Sequence, residues 1–147
     1  MSHVTKLKSV QITDVRALRA AVAKLQSKGI KCSLVENEKP RVHGYDAAPT
    51  CEYVLKLDGA YDLGLQKQED NSYIPVFDTY QNHVGKQIGA TCPIPSTAAG
   101  RQQHQMGQFL QAYAEEAARN QAMSQGYMVE DTTTDAEGNV HLTLTGM

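Results

Sequence analysis

Tryptophan is absent and only two phenylalanines are present, so any aromatic surface must be built from the seven tyrosines, with five histidines as the other rings. Basic excess is absent too. Fourteen Lys and Arg face sixteen Asp and Glu, for a net charge of -2. A protein that lives on nucleic-acid phosphates carries a clear positive surplus, so general electrostatic binding to nucleic acid is not expected. Cysteines number three, and no two stand close in sequence. An odd, scattered set argues against a disulfide framework and for a reducing compartment. No run of about 18 apolar residues exists, which argues against a membrane span. The start, Met1-Ser2-His3-Val4-Thr5-Lys6, has no apolar signal-peptide core. The expected location is therefore cytoplasmic.

Chemical motifs are scarce as well. His3, His43, His83, His104 and His141 are scattered, and no C-x-x-C pair occurs, so no metal site and no cofactor are expected. Gly85, Gly89 and Gly100 do not form a phosphate loop. Cys92, in Thr91-Cys92-Pro93, would need a neighbouring base to act as a nucleophile. His83 and His104 flank the same stretch, and nothing local enforces their approach. Asp58, Asp62, Asp70 and Asp78 stand at expected strand ends and turns. Asp is ordinary there, because its side chain bonds nearby backbone amides. Glu115 and Glu116 read as a solvated helix face. Cys32 and Cys51 read as small buried apolar residues. Arg41, His43, Tyr45, Tyr53 and Tyr61 mix basic and aromatic groups as single-strand binders do. Glu36, Glu38, Asp46 and Glu52 interleave with them and weaken the field.

What is present is one domain. The 147 residues are 41% apolar and 20% charged, the composition of a globular chain with one core. Val4 to Ile12 predicts a strand. Thr13 or Asp14 then caps a helix from about Asp14 to Lys28, with Val15, Leu18, Val22 and Leu25 on one stripe and Gly29 past its end. Ile30 to Val35 is a second strand, and 36–50 is a loop with an extended piece at Arg41-Val42-His43. Tyr53, Leu55 and Leu57 alternate, as do Tyr61, Leu63 and Leu65, across an Asp58-Gly59 turn. Tyr73 to Phe77 adds a third strand of a meander, with Pro75 suited to an edge or a bulge. Residues 79–100, punctuated by Gly and Pro, predict an irregular loop. Gln102 to Gln125 predicts a second helix, with Met106, Phe109, Leu110, Tyr113 and Ala117 on one face. Tyr127 to Thr134 and Val140 to Thr145 flank a five-residue loop, Asp135 to Asn139, as a terminal hairpin. The expected fold is α+β: an antiparallel sheet with two helices on one face. It would be a ferredoxin-like split β-α-β core with an added meander and a C-terminal hairpin.

An ordered set of short segments carries a family resemblance. Met1-Ser2-His3-Val4 opens the chain, and Val42-His43-Gly44-Tyr45 follows. Then come Tyr61-Asp62-Leu63-Gly64-Leu65, Asn71-Ser72-Tyr73 and Val76-Phe77-Asp78. Phe109-Leu110-Gln111-Ala112-Tyr113-Ala114, Gly126-Tyr127 and Glu137-Gly138-Asn139-Val140-His141-Leu142 complete it. Over nearly the whole chain this resembles the domain-of-unknown-function 1257 family, also called the hypothetical chloroplast reading frame thirty-five family. Members tend to carry tryptophans after the aspartate that ends the meander. Here Asp78 is followed by Thr79-Tyr80-Gln81, and Tyr80 is the local stand-in. Such divergence fits a bacteriophage-encoded member. The resemblance implies no activity. It implies association with an AAA-type ATPase and a small ferredoxin, and so a partner-binding or regulatory protein.

The expected function is a non-enzymatic adaptor that contacts its partner through its strand edges or the 79–100 loop. Tyr80, His83, Ile88, Ile94 and Pro95 are the expected contact residues, since apolar and aromatic side chains dominate contact energy. Ile88 and Ile94 have a plainer alternative, pinning the loop to the core. Another function class is a component of a larger assembly, such as a virus particle, with self-association as its mark. A third is a single-strand binder or a small enzyme whose site forms only in three dimensions, collecting residues such as His43, His83, His104, Cys92 and Asp78.

Overall fold

The computed structural model describes residues 4–7, 10–43, 48–134 and 140–146. Tyr45 and the expected hairpin loop Asp135 to Asn139 lie outside the described residues. The elements run β1 (Val4–Lys6), α1 (Val15–Ser27), β2 (Cys32–Glu38), β3 (Cys51–Leu57), β4 (Leu63–Lys67) and β5 (Tyr73–Asp78). A 3-10 turn (Tyr80–Asn82) leads to α2 (His83–Ile88), α3 (Ala98–His104), α4 (Gly107–Ser124), β6 (Tyr127–Thr134) and β7 (Val140–Gly146).

Strands 1 to 5 form one antiparallel sheet in the order β1-β5-β4-β3-β2, and β6 and β7 pair as a separate ribbon. β3 to β5 are the expected three-strand meander, and β2 joins them at the edge beside β3. β1 and β2 run parallel at opposite edges, joined by α1, with three strands between them. That is a split β-α-β crossover. It closes because one helix can span the sheet and bury its stripe on the way. The C-terminal hairpin is present, and it packs on α4 rather than extending the large sheet.

α1 forms where its sequence dictates. The Asp14 carboxylate accepts from Ala17 N at 3.0 Å, which satisfies one free amide of the first turn. Ala17, Leu18, Ala21, Val22 and Leu25 are buried. Gly29 ends the helix at φ 88°, a left-handed backbone that glycine adopts without a Cβ penalty. The Tyr113 hydroxyl of α4 accepts from Thr13 N at 2.9 Å and Asp14 N at 3.0 Å, tying the two helices at this end.

Strand alternation decides the two faces. Leu55, Leu57, Leu63, Leu65 and Phe77 join Leu18, Val22 and Leu25 of α1 and Phe109 and Ala112 of α4 in one buried cluster. Val54 and Val76, which point the other way, form a smaller cluster with Cys51. Gly64 faces that second side, where a Cβ would lie 2.8 Å from Cys51 Sγ and 2.9 Å from Pro40 Cγ. Chain from the β2–β3 connection thus covers the back of the sheet.

The structure corrects several local expectations. β1 stops at Lys6, and Ile12 makes an isolated bridge to Tyr73 instead of continuing the strand. Pro75 lies on an inner strand, not an edge. Its carbonyl accepts from Leu7 N at 3.0 Å. Its missing N–H therefore falls on the same side, past the end of β1, where no ladder bond is lost. The connection between β3 and β4 is the longer stretch 58–62, so Tyr61 and Asp62 belong to a loop. The 79–100 stretch is not wholly irregular: it holds the 3-10 turn, α2 and the start of α3. The expected single helix over Gln102 to Gln125 is two, broken at Gln105–Met106. Tertiary packing makes the break. A Cβ on Gly107 would lie 2.4 Å from the Ala90 Cβ, and Ala90 N donates to His104 O at 2.8 Å. Glu115 is buried on α4 and pairs with Lys24 of α1, so it is a helix–helix contact and not a solvated face.

Candidate partner-binding site

β3 and β5 run in the same direction, so the loops that follow them meet at one end of the sheet. Segment 41–43 returns to that end and is fixed there twice. The first fixing point is Asp62, fully buried. Its Oδ2 accepts from Arg41 N at 2.9 Å and Arg41 Nε at 3.0 Å, and its Oδ1 accepts from Arg41 Nη2 at 2.8 Å and Leu57 N at 3.2 Å. Lys56 Nζ stands 3.5 Å away. Burial pushes the Asp62 carboxyl up, but the Arg41 and Leu57 hydrogen bonds and the Arg41 charge outweigh it and hold it below the usual aspartate range. Arg41 is raised in turn, chiefly by its hydrogen bond to Asp62.

The second fixing point is Asp78, the last residue of β5 and also fully buried. Its Oδ2 accepts from His43 N at 2.8 Å and its Oδ1 from Tyr80 N at 2.8 Å. One carboxylate thereby joins two separate segments. The rings those segments carry then pack together. His43 stacks on Tyr80 with centroids 4.3 Å apart and an interplanar angle of 28°. Tyr61 meets His83 edge-on at 4.6 Å and His43 at 6.5 Å. Tyr61 is buried, Tyr80 and His83 are half-buried, and His43 is exposed.

The turn between Tyr80 and His83 is strained. Gln81 (φ 51°) and Asn82 (φ 56°) are consecutive non-glycine residues in the left-handed region. Asn tolerates that conformation; for Gln81 it costs about 1–2 kcal/mol. Such strain persists only where surrounding contacts over-determine the backbone, and it concentrates at functional sites. Gly85 takes part. A Cβ there would lie 1.9 Å from Asn82 Oδ1, so any larger residue would make the Asn82 side chain move aside.

Beyond the turn, α2 is anchored by Val84 and Ile88, both fully buried in the main core. The chain then becomes exposed from Thr91 through Ala99. That exposed segment is clamped along its length. Gln108 Nε2 donates to Gly89 O at 2.7 Å, His104 Nε2 to Cys92 O at 2.7 Å, and Arg101 Nη1 to Ser96 O at 2.6 Å. Thr97 Oγ1 accepts from Gly100 N at 3.1 Å and caps α3. Ile94 stands 67% exposed on this clamped loop.

The expected contact residues therefore divide. Tyr80 stacks on His43 and His83 meets Tyr61, while Ile94 and Pro95 are exposed on the loop. Ile88 belongs to the core, where it pins α2, and its expected contact role is withdrawn. In the sequence His43 groups with Tyr61 among basic and aromatic residues and with Asp78 among residues that a folded site could collect, but no local spacing joins the three, since His43 and Tyr61 lie on two different connections and Asp78 ends β5. Cys92 is exposed, and its carbonyl, rather than its thiol, meets His104. Cys51 is buried, and burial pushes its thiol up to about 11. Among the described residues no cluster of three or more His, Cys, Asp or Glu is placed to hold a metal ion. No helix there is long and apolar enough to cross a membrane.

Fold and site together define a small α+β protein that presents ring and apolar side chains from loops braced on an antiparallel sheet. The chain belongs to the family described as "Protein of unknown function (DUF1257)", whose model matches residues 24–143. No curated protein and no solved structure matches the chain.

Proposed function

We propose that this protein is a protein-binding adaptor or regulatory subunit of the cytoplasm that engages its partner through loop 90–97. The carrying observation is Ile94, 67% exposed on a segment held by hydrogen bonds at Gly89, Cys92 and Ser96. An exposed isoleucine on a floppy loop is ordinary. One on a braced loop loses less conformational freedom on binding, so more of its contact energy appears as affinity. The resemblance described above makes an AAA-type ATPase the first partner to try.

The test is titration of the purified AAA-type ATPase from the same cell, followed calorimetrically, with the native chain and with Ile94→Asp. Binding by the native chain, weakened at least tenfold by the substitution at unchanged melting temperature, supports the reading. If the native chain binds neither that ATPase nor any stoichiometric protein in a pull-down from its own cell, the adaptor reading fails. If it binds and Ile94→Asp binds equally well, the loop assignment fails.

A further inference from the structure

We infer that Asp78 is a latch that holds the Thr79–His83 turn in a strained closed form, so that releasing the carboxylate lets the turn relax and moves Tyr80 and His83 away from His43 and Tyr61. Three independent observations carry it. Gln81 and Asn82 occupy the left-handed region in succession, at φ 51° and 56°. The fully buried Asp78 carboxylate bonds Tyr80 N and His43 N, one oxygen to each. The His43–Tyr80 stack at 4.3 Å closes the same junction from the surface side. The brace works on the backbone itself, since both oxygens accept from main-chain amides. What it does is convert a local preference for relaxed backbone into stored bias. The inference rests on this turn alone and not on the partner reading.

Hydrogen exchange of the full chain, resolved by residue, tests it. In Asp78→Asn the new amide nitrogen faces a backbone N–H, so one of the two bonds is lost. Amides over 80–89 should then exchange about tenfold faster, those of β3 and β4 should be unchanged, and the His43–Tyr80 ring contact should vanish from the nuclear Overhauser spectrum. In Gln81→Gly the closed turn carries less strain, so the same amides should exchange about fivefold slower; combining the two changes should restore part of the native rate. Uniform acceleration of all core amides in Asp78→Asn, or no acceleration, overturns the latch. Unchanged exchange in Gln81→Gly overturns the strain. If Asp78→Asn does not fold, Gln81→Gly decides alone.

Discussion

Asp62 should be worth several kilocalories per mole, and its contribution should disappear in acid. Replacing it with alanine removes the acceptor for three Arg41 donors and for Leu57 N. Breaking a buried charge pair by deleting one partner costs about 3–5 kcal/mol. Here the carboxylate is fully buried but the Arg41 side chain is 47% exposed. Water can therefore reach part of the released guanidinium, which lowers the expectation to about 2–4 kcal/mol. Most of the remainder is the unpaired Leu57 amide inside the sheet, at about 1–3 kcal/mol. For a chain of this size that lowers Tm by about 5–15 °C. The pH dependence has a definite sign. The folded-state value of Asp62 lies below the ordinary 3.8, so its stabilisation is fully present above the ordinary value and is lost as pH falls through the folded one. Urea unfolding followed by tyrosine fluorescence, which no tryptophan overwhelms, reads both. The gap between native chain and Asp62→Ala should be constant from neutral pH down to mildly acid pH and should shrink in strong acid. A gap under about 1 kcal/mol at neutral pH, or one that persists unchanged in strong acid, refutes the reasoning.

Two further outcomes follow from the packing. Gly64→Ala places a Cβ 2.8 Å from Cys51 Sγ and 3.1 Å from Val76 O, so overpacking should destabilise the chain by about 1–3 kcal/mol in the same unfolding assay; a neutral result means the back of the sheet is looser than described. A colorimetric thiol assay at neutral pH should show one fast reaction, abolished by Cys92→Ser, a slower one at Cys32, which is half-buried rather than buried as expected and whose thiol burial pushes up, and reaction of Cys51 only on unfolding, because Cys51 is buried and pushed up to about 11. A Cys51 phase as fast as that of Cys92 contradicts the burial.

Much of the fold was legible because it is local. The α1 stripe, its Asp14 cap and Gly29 lie within sixteen residues, and each follows from helix geometry. The alternation in β3 and around β4 likewise announces Leu55, Leu57, Leu63 and Leu65 as core side chains, whereas β5 is buried on both faces. Legibility ends where a distant contact decides. Nothing near Gly107 in the sequence announces Ala90, yet their approach breaks the predicted long helix. Glu115 reads as solvated on its own helix and is buried because Lys24, 91 residues away, pairs with it. Pro75 reads as an edge residue because the length of β1 is invisible from Pro75. The site failed to show for the same reason: His43, Tyr61 and Tyr80 sit on three connections, and only the shared direction of β3 and β5 brings them together.

The missing tryptophans bear on what this corner can do. A tryptophan after Asp78 would fill the junction with a large ring that favours one buried position. Tyr80 and His43 are smaller and amphipathic, and they hold a stack that is half in water. An exposed stack of this kind contributes only about 0.5–1.5 kcal/mol beyond its buried area, which is close to the strain in Gln81 that it opposes. Neither effect dominates by itself. The Asp78 carboxylate, with two 2.8 Å bonds in a dry site, is therefore the group that sets the balance. Changing it, rather than either ring, is the perturbation that should move the turn.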